Sequence, residues 1–190
     1  MHCQVITHNP GLLPLNIATR MPTTTGRFLL FSLIAAILAG LAFVPGLPGN
    51  FLFDDIPNIV NNEALHLTAL TPEALFQVAF SQQFSGSMRV LPTLSFALDY
   101  WRVGGADPAT FKTTNIILQV LTAFALAGFF RSLMLAAGIA PARASWAAMA
   151  LAFAWAAHPL QVSSVLYVVQ RMQTMGTFFL LLALWVYLES

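Results

Sequence analysis

Residues 28–47, FLLFSLIAAILAGLAFVPGL, form an uncharged apolar run near the start of the chain. About 20 apolar residues in a helix are enough to cross the roughly 30 Å of hydrocarbon in a bilayer. The run therefore predicts a membrane span. A cleaved signal peptide is the alternative, and we favour it less because the run is longer than a typical signal segment and Gly40-Leu41-Ala42 is a weak cleavage site.

The composition supports a membrane protein. Only 8% of the residues are charged and 58% are hydrophobic, whereas soluble domains have about 25% charged residues. So few charges cannot cover the surface of a soluble protein of this size, and no basic patch indicates a nucleic-acid partner. Cys3 is the single cysteine, which excludes an intramolecular disulfide framework.

Three further apolar runs follow, at 113–135, 145–157 and 173–188. Together with 28–47 they predict an all-α integral membrane protein with about four transmembrane helices and a membrane domain over 28–189. Residues 1–27 form an N-terminal tail, in which Met21 is an alternative start. Residues 48–112 form one long loop between the first two spans.

Arginines predict the orientation of these spans. Arg20 and Arg27 precede the first span, and Arg131 and Arg143 flank the loop after the second. Because basic residues concentrate on the cytoplasmic side, both ends of the chain should be cytoplasmic and the loop 48–112 should lie outside. This loop carries six of the seven acidic residues.

Two amphipathic helices are predicted inside the outer loop. Thr71-Pro72-Glu73 is a typical helix start, with a capping hydroxyl, a proline in the first turn and an acid near the helix N-terminus. Apolar residues then recur at helical spacing over 72–84 and 92–102. Helices of this kind lie on a membrane surface or against a bundle, and the predicted contact residues are Leu75, Phe76, Phe80, Leu94, Leu98 and Trp101.

Asp54 and Asp55 stand side by side just after the first span. One interpretation is that Asp55 caps a helix that begins near Pro57; the other is a catalytic or metal-binding site. Arg89, Lys112 and Arg171 should lie near the same interface, where they suit an anionic phosphate. Cations that reach up to lipid headgroups are the alternative.

The chain resembles the N-terminal part of GT-C type membrane glycosyltransferases, and in particular the bacterial relatives of the TMTC (transmembrane and tetratricopeptide-repeat) O-mannosyltransferases. The resemblance covers about 48–189 and rests on Phe53-Asp54-Asp55 with Asn61-Asn62, on LSFALDYW at 94–101, on Phe111 with Asn115, and on HPLQVSSVLYVVQRM at 158–172. The last block is the most specific. Lys112 and Gln119 stand where this pattern has histidines.

The resemblance implies transfer of a sugar from a polyprenyl-phosphate donor to an acceptor protein or glycan on the extracytoplasmic side of a bacterial inner membrane. Asp54 or Asp55 would be the general base on the acceptor hydroxyl, or would hold a divalent metal. Arg89, Lys112 and Arg171 would bind the carrier phosphate. Supporting roles are implied for three further residues of these motifs, Asn115, His158 and Gln170.

The resemblance also implies more spans than these 190 residues contain, so we expect them to be part of a longer enzyme and inactive alone. A non-catalytic membrane anchor or scaffold is the alternative function. A transporter half is favoured less, because transporters place charges at mid-membrane and the charges here cluster near the ends of the spans.

Overall fold

The computed structural model describes residues 21–81 and 89–190, and in these residues it contains helices and turns without strands. The all-α prediction is confirmed for this part of the chain. The helices are α1 (Met21–Leu41), α2 (Pro72–Ala79), α3 (Val90–Val103), α4 (Pro108–Ala136), α5 (Pro141–Ala156), α6 (Gln161–Leu166) and α7 (Arg171–Glu189). Short turns at Val44–Gly46, Ile56–Val60, Glu63–Leu65 and Val168–Gln170 connect them.

In the described part of the chain, three segments are long and apolar enough to cross a membrane: Thr25–Gly46, Pro108–Ala136 and Val168–Glu189. They indicate a membrane protein. Helix α5 has only 16 residues, which is shorter than a typical span, so the count of four spans stays a prediction. However, α5 returns the chain along α4, because Ser145 lies beside Arg131 and Ala156 lies beside Gln119.

Helix α4 is the centre of the bundle, and α1, α5 and α7 pack around it. The contacts with α1 and α5 are made by small residues, which let helix backbones approach closely. Gly128 does the same on the α7 side, where a Cβ atom would overlap the ring of Trp185. The buried alanines of these contacts are Ala36, Ala39, Ala123, Ala127, Ala148, Ala152 and Ala156.

The bundle has two distinct ends. At one, which we call the arginine end, Arg131 donates hydrogen bonds to Thr25 on α1 and to Ser145 on α5 (3.4 and 3.1 Å). At the other, the site end, the loops 42–71 and 157–170 meet the first turns of α4 and α7. Arg27, Arg131 and Arg143 of the predicted cytoplasmic side therefore share one end, whereas Arg20 lies outside the described residues. The described part of the acidic outer loop lies at the opposite end.

The predicted orientation leads to a direct test. We expect a reporter inserted at Gly138, in the turn between α4 and α5, to read as cytoplasmic because it lies beside the arginine end. A reporter at Gly105, in the turn before α4, should read as extracytoplasmic. A Cβ atom added at either glycine would meet no other atom within 4 Å, so both turns have room for an insertion. The same side for both reporters would contradict the topology.

Both loop helices form, with boundaries that differ from the prediction. Helix α2 begins after Thr71, whose hydroxyl accepts from the Ala74 N–H, but it ends at Ala79; residues 82–84 of the predicted helix lie outside the described residues. Helix α3 begins at Val90, two residues before Pro92. Proline is tolerated there because the first-turn N–H groups have no partner inside the helix.

The contact face of these helices differs in part from the predicted one. Leu75 and Leu94 pack against a core cluster in the loop region, whereas the other four predicted contact residues, Phe76, Phe80, Leu98 and Trp101, are exposed. The buried side of α3 carries Phe96 and Ala97 instead. Whether the exposed face lies in a membrane interface stays a prediction.

Candidate functional site

Asp55 connects the first loop to the segment before α7. Its side chain is fully buried, and its two oxygens accept from the backbone N–H groups of Leu52 (3.1 Å), Val168 (3.4 Å) and Val169 (2.8 Å). The helix-cap interpretation is wrong, because the turn Ile56–Val60 receives no side-chain cap from Asp55. The carboxylate instead holds together segments that are 113 residues apart.

Burial raises the pKa of the Asp55 carboxyl above its ordinary value of 3.8, and the backbone N–H donors and the charge of Lys112 only partly offset this. The folded protein then binds a proton more tightly than the unfolded chain does. The contribution of Asp55 to the free energy of unfolding therefore falls as the pH rises from 3.8 through the raised pKa.

We expect Asp55→Asn to remove this fall from the pH profile. It should also destabilise the fold by about 1–3 kcal/mol, since one amide oxygen cannot accept from all three N–H groups and a buried unsatisfied donor carries that penalty. Equilibrium unfolding in detergent between about pH 3.5 and 7 would measure both effects. An unchanged pH profile in the Asn variant would contradict the raised pKa.

Asp54, the adjacent residue, points outward. It is exposed, and its backbone N–H donates to the hydroxyl of Tyr167 (3.0 Å). Within the described part of the chain, its carboxylate has no hydrogen-bond donor and no ion-pair partner. The two carboxylates thus have opposite settings, one enclosed by backbone donors and one open to an external molecule.

An open cavity of ≈ 200 Å³ lies beside Asp54. Arg89, Gln170 and Gln173 also line it, together with Asn58, Val169 and Met172. Arg89 is exposed, and its guanidinium donates to the sulfur of Met172 (2.9 Å), which is a weak acceptor. Counting only contacts with the described residues, a carboxylate and a cation with unused hydrogen-bonding capacity therefore face the same polar cavity at the site end.

Arg171 is the centre of a buried polar network beneath this cavity. It is fully buried, donating from Nε to Asn115 (2.7 Å), from Nη1 to Ser95 (3.1 Å) and from Nη2 to the Phe111 carbonyl (2.8 Å). Its guanidinium lies over the ring of Phe96, 4.4 Å from the centroid. An external phosphate does not reach Arg171 in this arrangement.

Asp99 supplies the countercharge. Its Oδ2 lies 2.7 Å from Arg171 Nη2 without hydrogen-bond alignment, and its Oδ1 accepts from Thr114 (2.7 Å) and pairs with Arg102 (3.2 Å). The Asn115 amide donates to the carbonyls of Val165 and Val168 (3.0 and 3.3 Å). The network therefore joins α3, α4, α7 and the segment between α6 and α7.

Lys112, also in the first turns of α4, is buried as well. It donates to the backbone carbonyls of Gly46 and Gly49, where α1 passes into the outer loop. Gly49 is needed here because a Cβ atom would come within 2.9 Å of Lys112 Nζ. As with Arg171, the cation is bound by acceptors within the protein, and its predicted phosphate contact stays a prediction.

The remaining predicted residue, His158, is exposed and accepts from the Leu160 N–H (3.2 Å), which makes it part of the turn into α6. The predicted site is thus divided: Asp54, Arg89 and Gln170 line the cavity, whereas Asp55, Lys112, Asn115 and Arg171 form the buried support. A role in catalysis or phosphate binding stays a prediction for each. The residues 21–81 and 89–190 contain no cluster of three or more side chains suited to a metal.

Three contributors were missed by sequence reasoning as members of the site. Tyr167 and Asn58 form hydrogen bonds with the backbone of Asp54. Neither residue belongs to a sequence pattern that would have indicated this contact. Asp99 had a readable signal, because it is an acid within an otherwise apolar helix, with Arg102 one turn later. An acid in such a position needs a partner when it is buried, and the partner is Arg171.

Comparison with known proteins identifies two relatives. The chain is 28% identical to human protein O-mannosyl-transferase TMTC4 over 161 residues, which is 80% of this chain and 22% of the human protein. The mouse protein of the same name is 26% identical over 168 residues, 83% of this chain and 23% of that protein. No family model and no solved structure matches. The chain thus spans less than a quarter of these relatives, and the similarity supports a relation to TMTC-like glycosyltransferases.

Proposed function

We propose that this chain is part of a membrane glycosyltransferase that moves a sugar from a polyprenyl-phosphate donor to a hydroxyl acceptor on the extracytoplasmic side. The two relatives are named O-mannosyl-transferases, so mannose is the first sugar to test. The GT-C type, a bacterial inner membrane and a cytoplasmic N-terminus belong to the same proposal.

The observation that carries it is the pairing of Asp54 and Arg89 on one open polar cavity. The cavity lies at the site end, beside the start of the membrane-length segment Val168–Glu189. A lipid carrier presents its sugar at such a position, because its chain stays in the bilayer while its phosphate and sugar reach the interface. The cavity therefore offers a base and a cation where both are needed.

The reaction assigns one role to each side chain. Asp54 takes the proton of the acceptor hydroxyl as the hydroxyl oxygen bonds to the anomeric carbon of the sugar. The bond from that carbon to the phosphate oxygen breaks, and the electron pair leaves with the polyprenyl phosphate. Arg89 stabilises the charge on this leaving group through charge-assisted hydrogen bonds.

The buried residues have a positioning role in this proposal. Asp55 fixes the backbone next to Asp54, and the Arg171–Asp99–Asn115 network fixes the segment that carries Gln170. A catalytic group must be held close to its productive geometry by packed and hydrogen-bonded neighbours. In this proposal Lys112 and Arg171 position these segments, and the direct phosphate contact first predicted for them stays a prediction.

Replacing Arg89 tests the phosphate contact. We expect Arg89→Gln to raise the KM for the polyprenyl-phosphate sugar about 10–100-fold, because a hydrogen bond to a charged group contributes about 1.5–3 kcal/mol. Transfer of radiolabelled mannose by the complete native chain in nanodiscs measures this. Arg102→Gln is the matched control, since Arg102 is half exposed and pairs with Asp99 away from the cavity. Equal KM values in both variants would contradict the assignment.

A non-catalytic scaffold is the second candidate. It is favoured by the depth of the buried network, since four of the eight predicted site residues hold the fold together rather than face a ligand. A scaffold needs these contacts and does not need Asp54 or Arg89. The two functions therefore predict different results for the wild-type protein: a transferase transfers sugar, and a scaffold does not.

A further inference from the structure

Phe53, immediately before the acidic pair, has an unusual backbone conformation. Its φ is +40°, and within the described residues it is the one non-glycine residue with positive φ. This region is strained for residues with a Cβ atom, and strain of this kind concentrates at functional sites. The hydrogen bonds around it hold the turn in place: Asp55 N–H donates to the Leu52 carbonyl (2.8 Å), and Ile56 N–H donates to the Phe53 carbonyl (3.1 Å).

The side chain of Phe53 gains nothing from the fold in return. It is 84% exposed, more than any other large apolar side chain in the described part of the chain. Burying a phenylalanine is normally a large favourable contribution. The described residues supply no contact that offsets this combination of backbone strain and exposure, which points to a contact with an external molecule.

The surroundings indicate the chemistry of that contact. On one side of Phe53 lies Leu52, half exposed; on the other lies Asp54 at the polar cavity with Arg89. The exposed apolar side chains of Leu52 and Phe53 therefore lie next to a polar cavity with a cation. This arrangement matches a molecule that joins an aliphatic chain to a phosphate. A bilayer phospholipid and a polyprenyl phosphate share this chemistry.

We propose that Phe53 is a specificity-determining residue that contacts the first isoprenoid units of a polyprenyl phosphate whose phosphate is held by Arg89. The proposal deepens the proposed function and rests on it. The polyprenyl phosphate is favoured over bulk phospholipid because the cavity also holds the carboxylate of Asp54, which has no ion-pair partner among the described residues. The sugar of a polyprenyl-phosphate donor brings hydroxyl groups that can donate to this carboxylate while the phosphate meets Arg89, whereas phosphatidylcholine brings no hydroxyl donor.

The test uses geranyl phosphate, a water-soluble isoprenoid phosphate, and inorganic phosphate as probes. The complete native chain in phosphatidylcholine nanodiscs is titrated with each. We expect Phe53→Gly to weaken geranyl phosphate binding about tenfold or more, from the loss of an aromatic contact with apolar surface. Inorganic phosphate binding should not change. Phe53→Leu, which keeps an apolar side chain, should retain most of the affinity.

Stability separates this role from a structural one. Glycine adopts positive φ without a Cβ penalty, so Phe53→Gly should not lower the midpoint of thermal unfolding. A structural Phe53 would lose stability and ligand affinity together. Weaker geranyl phosphate binding with an unchanged or higher midpoint supports the proposal, whereas equal binding of geranyl phosphate by wild type and Phe53→Gly overturns it.

Failure of the inference and failure of the proposed function are distinguishable. If the wild type transfers sugar and Phe53→Gly binds geranyl phosphate normally, the role of Phe53 is wrong and the transferase stands. If Phe53→Gly weakens geranyl phosphate binding but the wild type transfers no sugar, the isoprenoid contact of Phe53 is supported and the proposed transferase activity is wrong. If a water-soluble short-chain phosphatidylcholine competes for the site as well as geranyl phosphate does, the residue is a general lipid contact and the proposal is overturned.

Discussion

Arg171→Met should lower the free energy of unfolding by about 3–5 kcal/mol, the usual effect of removing one partner from a buried ion pair. The variant leaves the buried carboxylate of Asp99 without its 2.7 Å partner. It also removes the donors to Asn115, Ser95 and the Phe111 carbonyl. Equilibrium unfolding in mixed detergent micelles, followed by tryptophan fluorescence, would measure the loss.

Arg102→Gln is the matched control, because Arg102 binds the same carboxylate from a half-exposed position. An exposed pair contributes about 0–1 kcal/mol, so this variant should be nearly as stable as the wild type. The double variant Asp99→Asn with Arg171→Met should recover part of the loss, since it no longer leaves a buried charge unpaired. Equal losses for Arg102→Gln and Arg171→Met would contradict the central role of Arg171.

Asp54→Asn should lower the turnover of sugar transfer by about 10²–10⁴-fold, the contribution of a general base. The amide keeps the size of the side chain but cannot take the acceptor proton. The KM for the donor should change little, because the proposed phosphate contact is Arg89. Folding should also be unaffected, since no described residue donates to the Asp54 carboxylate. Labelled-sugar transfer by the complete native chain, normalised to folded protein, gives the comparison.

Two controls make this result specific. Glu73→Gln removes an exposed acid of α2 that does not line the cavity, and its turnover should match the wild type. Asp55→Asn should reduce the amount of folded protein more than the turnover of each folded molecule. Near-wild-type turnover in Asp54→Asn would exclude Asp54 as the base, and the base would then have to be another residue of the transferase.

Several features of this protein follow from its sequence by itself. The bilayer requires about 20 apolar residues in each helical span, and a composition with 8% charge leaves few alternatives. Local signals act over a few residues, so the cap at Thr71 could be read directly and is present. Asp107-Pro108 carried the same kind of signal: Asp107 caps α4 by accepting from Thr110, and α4 therefore begins at Pro108, ahead of the predicted start of this span.

The tertiary structure alone decided which charged residues are buried. Lys112 and Arg171 were predicted near an interface because they stand at the entries to two predicted spans. Their partners lie far away in the chain: Gly46 is 66 residues from Lys112, and Phe111 is 60 from Arg171. Only packing brings these acceptors to the cations. A buried cation is stable when its donors are satisfied, and no local pattern shows whether they will be.

The difference in burial between Asp54 and Asp55 is likewise decided by the tertiary structure. The sequence places them side by side and favours neither by composition. The backbone turn at Phe53 and the N–H groups of Val168 and Val169, 113 and 114 residues from Asp55, enclose one carboxylate and leave the other at the cavity. Adjacent residues can differ completely in exposure because burial is determined by distant segments, which only the folded chain brings together.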